Sequence, residues 1–421
     1  MSTPWFGQPR GLTILFLTEM WEKFSFFGMR ALLVYYMVKH LGFAQAYSSM
    51  VYGVYAAGVY LTPIAGGYIS DRWLGKRRAI IIGSITMAVG HFLMAFEPLF
   101  YVAMITIAVG NGLFLPNLPS QVGALYAKDD PRRQSAYSIY YLGVNLGAFF
   151  SPLVCGTLGE IYGWHYGFGA AGIGMCVGLA IYLAGSRYLP NDGVPETPEP
   201  VAAPAARETG SPLGLLLATA IAVIVFRASY EQSGNAMALW IDTGVDRAMG
   251  SFSIPATWFQ SLNPLFVFTL TPLVVAFWNR DTTPRPYRPG ALRRMAIGAF
   301  GVALSYLLLG GVIAMAGASP VHWAIVVAFF LLYTLGELYI LPVGLSLFAT
   351  LSPSRFTATT IAAWFLASFA GNLVAGYVGT WWSTMAPMEF FVAMGLIAAA
   401  AGAALAALAT MQRRAVSAVP A

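Results

Sequence analysis

The sequence predicts an all-α membrane protein whose transmembrane helices form two six-helix bundles, and three observations lead to this prediction. Of the 421 residues, 58% are hydrophobic and only 10% are charged, whereas about a quarter of the residues in an average soluble protein carry a charge. Apolar runs of about 18 residues or more, long enough to cross a bilayer, recur along the chain. The mean hydropathy of +0.68 agrees with them. These values exclude a soluble enzyme and a disordered chain.

Charged or Pro/Gly-rich stretches divide the apolar sequence into twelve runs. Because irregular backbone and open sheet edges cannot face lipid, each run is predicted to be a helix. The predicted spans are 12–38, 46–70, 79–96, 99–127, 134–159, 166–187, 212–240, 254–279, 292–317, 320–349, 356–382 and 387–411. The first run is too long and too charged for a cleaved signal peptide, so it is expected to remain as a helix.

The positions of Lys and Arg orient these helices. An even number of spans places both termini on one side, and eighteen of the 23 Lys and Arg residues lie in the segments on that side. The opposite loops contain only Lys39 and Arg247. The positive-inside rule therefore predicts that both termini are cytoplasmic. The net charge of +6 is explained by this orientation and does not indicate nucleic-acid binding.

A Pro-rich stretch separates the two sets of six spans. Residues 188–211 contain five prolines and several acidic residues but no apolar run, which is typical of a flexible linker. We therefore predict an N-terminal bundle at 1–187, a cytoplasmic linker at 188–211 and a C-terminal bundle at 212–421. Six helices, a linker and six more helices is similar to the layout of the major facilitator superfamily, in which two halves rock around a central substrate site.

Away from the ends of the predicted spans, seven Lys, Arg, Asp or Glu residues lie inside them: Glu19, Glu22, Lys23, Arg30, Arg227, Glu231 and Glu337. A lone ion at the centre of a membrane helix costs about 2.5 to 3.5 kcal/mol, so these residues should converge on a polar interior. The first four occupy positions i, i+3, i+4 and i+11 and share one helical face. Arg227 and Glu231 lie one turn apart and can pair. Structural ion pairs are the alternative for any single residue, but four ionisable groups on one face favour a proton relay.

Sequence motifs connect these charges to a known family. The first helix reads TEMWEKFSFFGMRALL over residues 18–33, which resembles the ExxERFxYYGMRA signature of the proton-dependent oligopeptide transporter family of the major facilitator superfamily. Similar segments follow along nearly the whole chain: GGYISDRWLGKRR at 66–78, GVNLGAF at 143–149, WFQSLNP at 258–264, GEL at 336–338 and WFL at 364–366. The resemblance implies a symporter that imports di- and tripeptides with protons by alternating access.

The resemblance also implies roles for individual residues. Glu19, Glu22 and Lys23 would couple transport to protons, Arg30 would pair with Glu231, and Glu337 would face the amino end of the peptide. The predicted substrate-binding residues are Phe27, Arg30, Tyr60, Asn145, Arg227, Glu231, Asn263, Glu337 and Trp364. Cations, acids, amides and aromatic rings together suit a zwitterion with varied side chains. For Asn145 and Asn263, helix packing through hydrogen bonds is an equal alternative.

The sequence departs from the family pattern at several positions. Lys23 stands where the family has arginine, and it lacks the planar fork that grips two carboxylates. Phe26 and Phe27 replace a tyrosine pair and remove two hydroxyl groups. Leu115 stands where many members carry a lysine that pairs with the acid of helix ten. The linker is also too short for the two extra helices that are common in bacterial members.

The loss of the helix-four lysine leads to a hypothesis about Arg227. The family usually has an apolar or aromatic residue there, so Arg227 could relocate the lost charge from helix four to helix seven. It would then neutralise Glu337, Glu231 or a carboxylate of the substrate. The alternative is that the arginine snorkels toward the cytoplasmic end of its helix.

The segment between the second and third spans is predicted to be a gating loop. Its residues are Gly67, Asp71, Arg72, Gly75 and Lys76, and their pattern marks the superfamily. Such a loop can act as a latch at the cytoplasmic side, and it can equally be a turn whose charges orient the chain.

Other functions fit the sequence less well. The departures leave open another small amphoteric or anionic substrate, an exporter, or a sensor that does not transport. No Ser/His/Asp, paired-His or Cys arrangement lies near the membrane charges, which argues against an enzyme. We expect a monomer in the cell membrane, bacterial and inner, that interacts with small-molecule substrates, protons and the lipid bilayer. We expect no nucleic acid, metal or cofactor other than the proton gradient.

Overall fold

A computed structural model describes residues 7–127, 129–190, 212–280, 290–350 and 357–417. The helices before the predicted linker are α1 (Arg10–Tyr35), α2 (Gln45–Ile69), α3 (Lys76–Leu93), α4 (Phe100–Phe114), α5 (Asn117–Ala124), α6 (Arg132–Ser151) and α7 (Trp164–Ala184). Those after it are α8 (Pro212–Tyr230), α9 (Ala236–Gly244), α10 (Leu262–Arg280), α11 (Ala291–Ala316), α12 (Trp323–Thr350), α13 (Thr357–Gly379) and α14 (Pro387–Ser417). Short π-helical or 3₁₀ turns extend several of them, including Leu158–Tyr162 after α6, Glu231–Gly234 after α8 and Ala256–Ser261 before α10.

The helices confirm the predicted twelve spans. α4 with α5, and α8 with α9, each make one span that is interrupted by a short break, and the span ends differ from the prediction by a few residues. Within the described ranges, nine helical stretches are long and apolar enough by composition to cross a membrane. Most of the predicted linker, residues 191–211, lies outside the described residues.

Four two-residue strands lie outside the membrane helices, a feature that the all-α prediction did not include. β1 (Val245–Asp246) pairs in parallel with β4 (Val321–His322), and β2 (Ala248–Met249) pairs with β3 (Phe252–Ser253). They connect loop segments and do not form a sheet layer of their own.

The chain divides into two compact units that repeat one packing pattern. Unit 1 comprises Met1–Phe43, Gly58–Pro198 and Met249–Leu265, and unit 2 comprises Ala44–Ala57, Glu199–Ala248 and Phe266–Ala421. In unit 1, α1 packs against α6 and α7, and α3 packs against α4 and α7. In unit 2, α8 packs against α13 and α14, and α11 packs against α12 and α14. Each of these helices of unit 2 therefore packs like the helix of unit 1 that lies six spans before it.

Each unit contains a segment from the other half of the sequence, and hydrogen bonds hold it in place. In unit 1 the Glu160 carboxylate accepts hydrogen bonds from the backbone N–H groups of Ala256 and Thr257, at 3.1 and 2.8 Å. This carboxylate caps the 3₁₀ turn that precedes α10. In unit 2 the Ser49 hydroxyl donates to Asn235 Oδ1 at 2.9 Å. Compact packing therefore places these two segments with the other half of the sequence, and the boundaries at 1–187 and 212–421 stay a prediction.

Apolar side chains cover both the core and the lipid-facing surface. A buried cluster in unit 1 joins α1, α3, α4, α5, α6 and α7. Large apolar side chains also stand on the outside: Ile105, Leu273 and Phe277 are 64%, 65% and 68% exposed. In water such exposure would be unfavourable, but it suits helices that contact hydrocarbon.

Candidate functional site

The predicted first-helix cluster forms on α1. Lys23 Nζ lies 2.7 Å from Glu22 Oε2 and 3.4 Å from Glu19 Oε1. All three residues are buried, and Lys23 is the most accessible at 9%. The spacing of three and four residues places them on one face of the helix. Two carboxylates therefore share one ammonium group, so the cluster carries one net negative charge when both acids are ionised and is neutral when one of them is protonated.

Glycines on the neighbouring helices allow this burial. A Cβ atom at Gly147 of α6 would lie 2.1 Å from the carbonyl oxygen of Met20, and one at Gly174 of α7 would lie 2.6 Å from the ring of Phe24. Both distances are far below the separation of about 3.5 Å at which carbon atoms pack. Only glycine lets α6 and α7 approach α1 so closely, as in other small-residue contacts between membrane helices.

Most of the predicted substrate-binding residues of unit 1 are more accessible than the cluster. Four of them are half-buried: Phe27, Arg30, Tyr60 and Asn263. Asn145 is buried, and its Nδ2 donates a hydrogen bond to the Tyr141 carbonyl one turn earlier, at 2.9 Å. This bond satisfies part of the amide within its own helix and leaves the Asn145 side-chain oxygen as the group that can accept a bond from a ligand.

In unit 2 the structure pairs Arg227 with Glu231. Arg227 Nη1 lies 2.7 Å from Glu231 Oε1, and each side chain is 5% exposed. This contact disagrees with the snorkelling alternative, because the guanidinium group is buried against an acid. Glu231, one of the partners that the sequence suggested, contacts it in the structure. A Cβ atom at Gly371 of α13 would lie 2.7 Å from Arg227 Cβ, so this glycine makes room for the arginine stem.

Two tyrosines that the sequence did not single out surround the acids of unit 2. Tyr230 stacks on Tyr333 with ring centres 5.1 Å apart and planes inclined by 6°. The Tyr333 hydroxyl donates to the Tyr230 carbonyl at 2.5 Å. Tyr230 lies beside the carboxylates of Glu231 and of the half-buried Glu337. Tyr230 directly precedes Glu231, and adjacent residues of a helix do not share a face. The sequence therefore gives no sign that Tyr230 lies near Glu337, and only the fold shows it.

The structure places Trp364 in the packing between α12 and α13. The residue is 6% exposed. A Cβ atom at Gly344 would lie 2.4 Å from the Trp364 ring, and Phe348 meets the ring edge-to-face at 5.3 Å. Its contacts among the described residues are thus with other side chains and backbone of unit 2, and its role in substrate binding stays a prediction.

The structure differs from the prediction of a loop between the second and third spans, because this segment is mostly helical. α2 continues into a π-helical turn at Ser70–Leu74, and α3 begins at Lys76. The helical path breaks at Gly75, whose φ of +74° lies in the region that favours glycine. Asp71 and Arg72 are exposed on the π-helical turn. The charged residues therefore lie on helical segments, and the chain changes direction at Gly75.

Comparisons with known proteins agree with this geometry. The sequence matches the family described as "PTR2: POT family" over residues 77–202 and 211–390. It is 33% identical to the uncharacterized transporter YclF of Bacillus subtilis, over 98% of this chain and 96% of that protein. It is 32% identical to the peptide transporter YePEPT of Yersinia enterocolitica, over 89% and 88% of the two chains. A di-/tripeptide transporter of Lactococcus lactis is 31% identical, over 93% of each chain.

Solved structures show the same fold. The crystal structure of the peptide transporter POT in complex with sulfate matches with a TM-score of 0.90 and 29% identity, over 98% of this chain and 97% of that one. A POT family transporter in complex with 5-aminolevulinic acid matches with a TM-score of 0.87 and 25% identity, over 97% and 98%. These matches confirm the major facilitator fold that the sequence predicts.

Proposed function

Because the chain belongs to the POT family of membrane transporters, we propose that it imports short peptides together with protons by alternating access. The observation that carries the proposal is the buried cluster of Glu19, Glu22 and Lys23. Relatives over most of the chain include proteins named as peptide and di-/tripeptide transporters. Both the cluster and these relatives support a solute carrier and not an enzyme.

The charge balance of the cluster supplies the coupling. An uncompensated charge in a dry site is unfavourable, and one ammonium group cannot neutralise two carboxylates. Proton binding to Glu19 or Glu22 removes the excess charge and releases Lys23 from one of its two partners. Because Arg30 lies seven residues after Lys23, two turns further along α1 on the same face, this change reaches the predicted substrate-binding residues through one rigid helix.

A zwitterionic substrate matches the remaining residues. Arg30 binds the peptide carboxylate, and Glu337 binds its ammonium group, as the family resemblance implies. During the cycle Arg30 pairs in turn with the peptide carboxylate and with Glu231. The half-buried ring of Phe27 meets the buried ring of Phe26 edge-to-face at 5.3 Å and offers apolar surface where the family has a hydroxyl group. This surface favours small or apolar peptide side chains over polar ones.

Uptake into liposomes driven by a pH gradient tests the proposal. The purified protein is offered a dipeptide library, and 5-aminolevulinic acid is included because a structural relative binds it. Accumulation of dipeptides that Glu22→Gln abolishes, with peptide exchange retained, is the expected result. Glu97→Gln is the matched control because this acid is exposed in the same unit. Accumulation of 5-aminolevulinic acid but of no peptide would overturn the peptide assignment.

A further inference from the structure

Oxygen atoms without hydrogen bonds are concentrated around the α1 cluster. Among the described residues, Thr18 Oγ1, Glu19 Oε2, Glu22 Oε1 and the hydroxyl oxygen of Tyr140 are buried and form no aligned hydrogen bond. Buried polar atoms nearly always have a partner, so such a group is unusual and tends to mark a functional site. Tyr140 is the one member that does not belong to α1. It comes from α6, and the residue is 7% exposed.

Glycine packing fixes the position of Tyr140. Gly143 and Gly147 of α6 contact α1 directly: a Cβ atom at Gly143 would lie 2.9 Å from the Phe16 ring. Tyr140 lies three residues before Gly143 and seven before Gly147, so it is on the same face of α6. This face packs on α1, and the carboxylates of Glu19 and Glu22 are the acids that act on the Tyr140 hydroxyl.

The groups around this hydroxyl limit what it can do. The titratable groups that face it are Glu19 and Glu22 from α1 and Tyr137 from its own helix. α5, which packs on the same cluster, carries no ionisable residue. On α7 the Tyr182 hydroxyl already bonds Gln121 Oε1 at 3.0 Å. Tyr140 is thus a neutral polar group beside the two acids, and a phenol both donates and accepts hydrogen bonds.

We propose that Tyr140 is a positioning residue for the transported proton, which donates a hydrogen bond to Glu19 when that carboxylate is ionised and accepts one when it is protonated. The proposal rests on the proposed proton-coupled transport. A carboxyl group that changes its protonation state in every cycle needs a partner for both states, and neither Lys23 nor a backbone N–H group can accept a bond from a protonated acid. Hydrogen bonds to an ionised group are the stronger ones, so Tyr140 favours release of the proton.

The substitution Tyr140→Phe removes the hydroxyl and keeps the ring. The expected result is a pH midpoint of gradient-driven uptake that is about one unit higher than in the parent protein, a tenfold effect on proton binding. The KM for the peptide at saturating proton concentration stays unchanged. Tyr182→Phe is the matched control, because it removes a buried phenol of the same unit that bonds a neutral amide. An unshifted midpoint in Tyr140→Phe, or an equal shift in Tyr182→Phe, would overturn the proposal.

A second readout separates this inference from the transport function. Infrared titration of the purified protein follows the carbonyl stretch of the protonated carboxyl group that Glu19→Gln removes. Its midpoint should move upward in Tyr140→Phe whether or not a peptide is carried, and a midpoint that stays in place overturns the inference. If Tyr140→Phe does not fold, a fluorinated tyrosine at position 140 replaces it. Because its hydroxyl is a stronger donor, the midpoint should then move downward, and no movement counts against the proposal.

Discussion

The buried pair of Arg227 and Glu231 allows a quantitative test of the unit 2 site. Both side chains are 5% exposed, and their charged atoms are 2.7 Å apart. Replacing Arg227 by methionine keeps the unbranched stem that packs on Gly371 and removes the charge. It leaves Glu231 as a buried acid that has lost this cation, and breaking a buried pair in this way lowers the free energy of unfolding by about 3 to 5 kcal/mol. Glu231→Gln should have a similar effect.

The double substitution gives the decisive value. With both charges removed, neither partner is left buried without its counter-charge, so the loss should be smaller than the sum of the two single losses by about 2 to 3 kcal/mol. Reversible denaturant unfolding in detergent micelles measures all four variants. The control cycle uses Arg247 and Asp242, whose charged atoms are 3.2 Å apart and whose side chains are 19% and 13% exposed.

The side chains of the control pair are more exposed and their charged atoms are farther apart. The coupling free energy of this pair should therefore stay below about 1 kcal/mol. A coupling at Arg227 and Glu231 that is no larger than this control would refute the reasoning. The same holds if Arg227→Met alone is neutral, because the arginine would then not compensate the buried acid. In that case Arg227 would be an apolar stem with an incidental charge, and the relocation hypothesis would lose its physical basis.

Three further predictions use the same preparations. Arg227→Ala should reduce gradient-driven uptake at least about tenfold, the effect of about 1.4 kcal/mol, and Leu115→Lys in the same chain should restore part of it; intact uptake in the single variant contradicts the relocated charge. Gly147→Ala should lower the free energy of unfolding by about 2 kcal/mol through overpacking, whereas Gly169→Ala, which has open space around it, should be neutral or slightly stabilising. Glu160→Gln removes one of two acceptors from a helix cap and should cost about 1 kcal/mol in the same denaturant titration; an unchanged value argues that the cap is dispensable.

Most of the fold follows from the sequence because its determinants are local. Hydropathy places the twelve spans, and the i, i+3 and i+4 spacing is enough to bring Glu19, Glu22 and Lys23 together on one face. The pairing of Arg227 with Glu231 follows from the same rule. Each of these contacts lies within one continuous helical stretch, where about 100° per residue determines which side chains meet.

Contacts between helices do not follow from the sequence in this way. Tyr140 and Tyr230 carry no periodic signal, and each acquires its meaning only because another helix brings an acid beside it. The charges and glycines of the predicted gating loop are typical of a turn, so the pattern hides its helical character. Sequence order likewise does not predict where the segments 44–57 and 249–265 pack. Hydrogen bonds such as those of Ser49 and Glu160 hold the first segment within unit 2 and the second within unit 1.

The two buried ion clusters differ in a way that assigns them different tasks. On α1, two carboxylates share Lys23, so the charge of the cluster depends on whether a proton is bound. At the end of α8, Arg227 pairs with Glu231, and the charges of these two side chains cancel without a proton. Proton binding should therefore change the electrostatics of unit 1 and leave the unit 2 pair unchanged. It follows that Glu22→Gln should alter the pH dependence of transport, whereas substitutions at Arg227 should alter its rate at every pH.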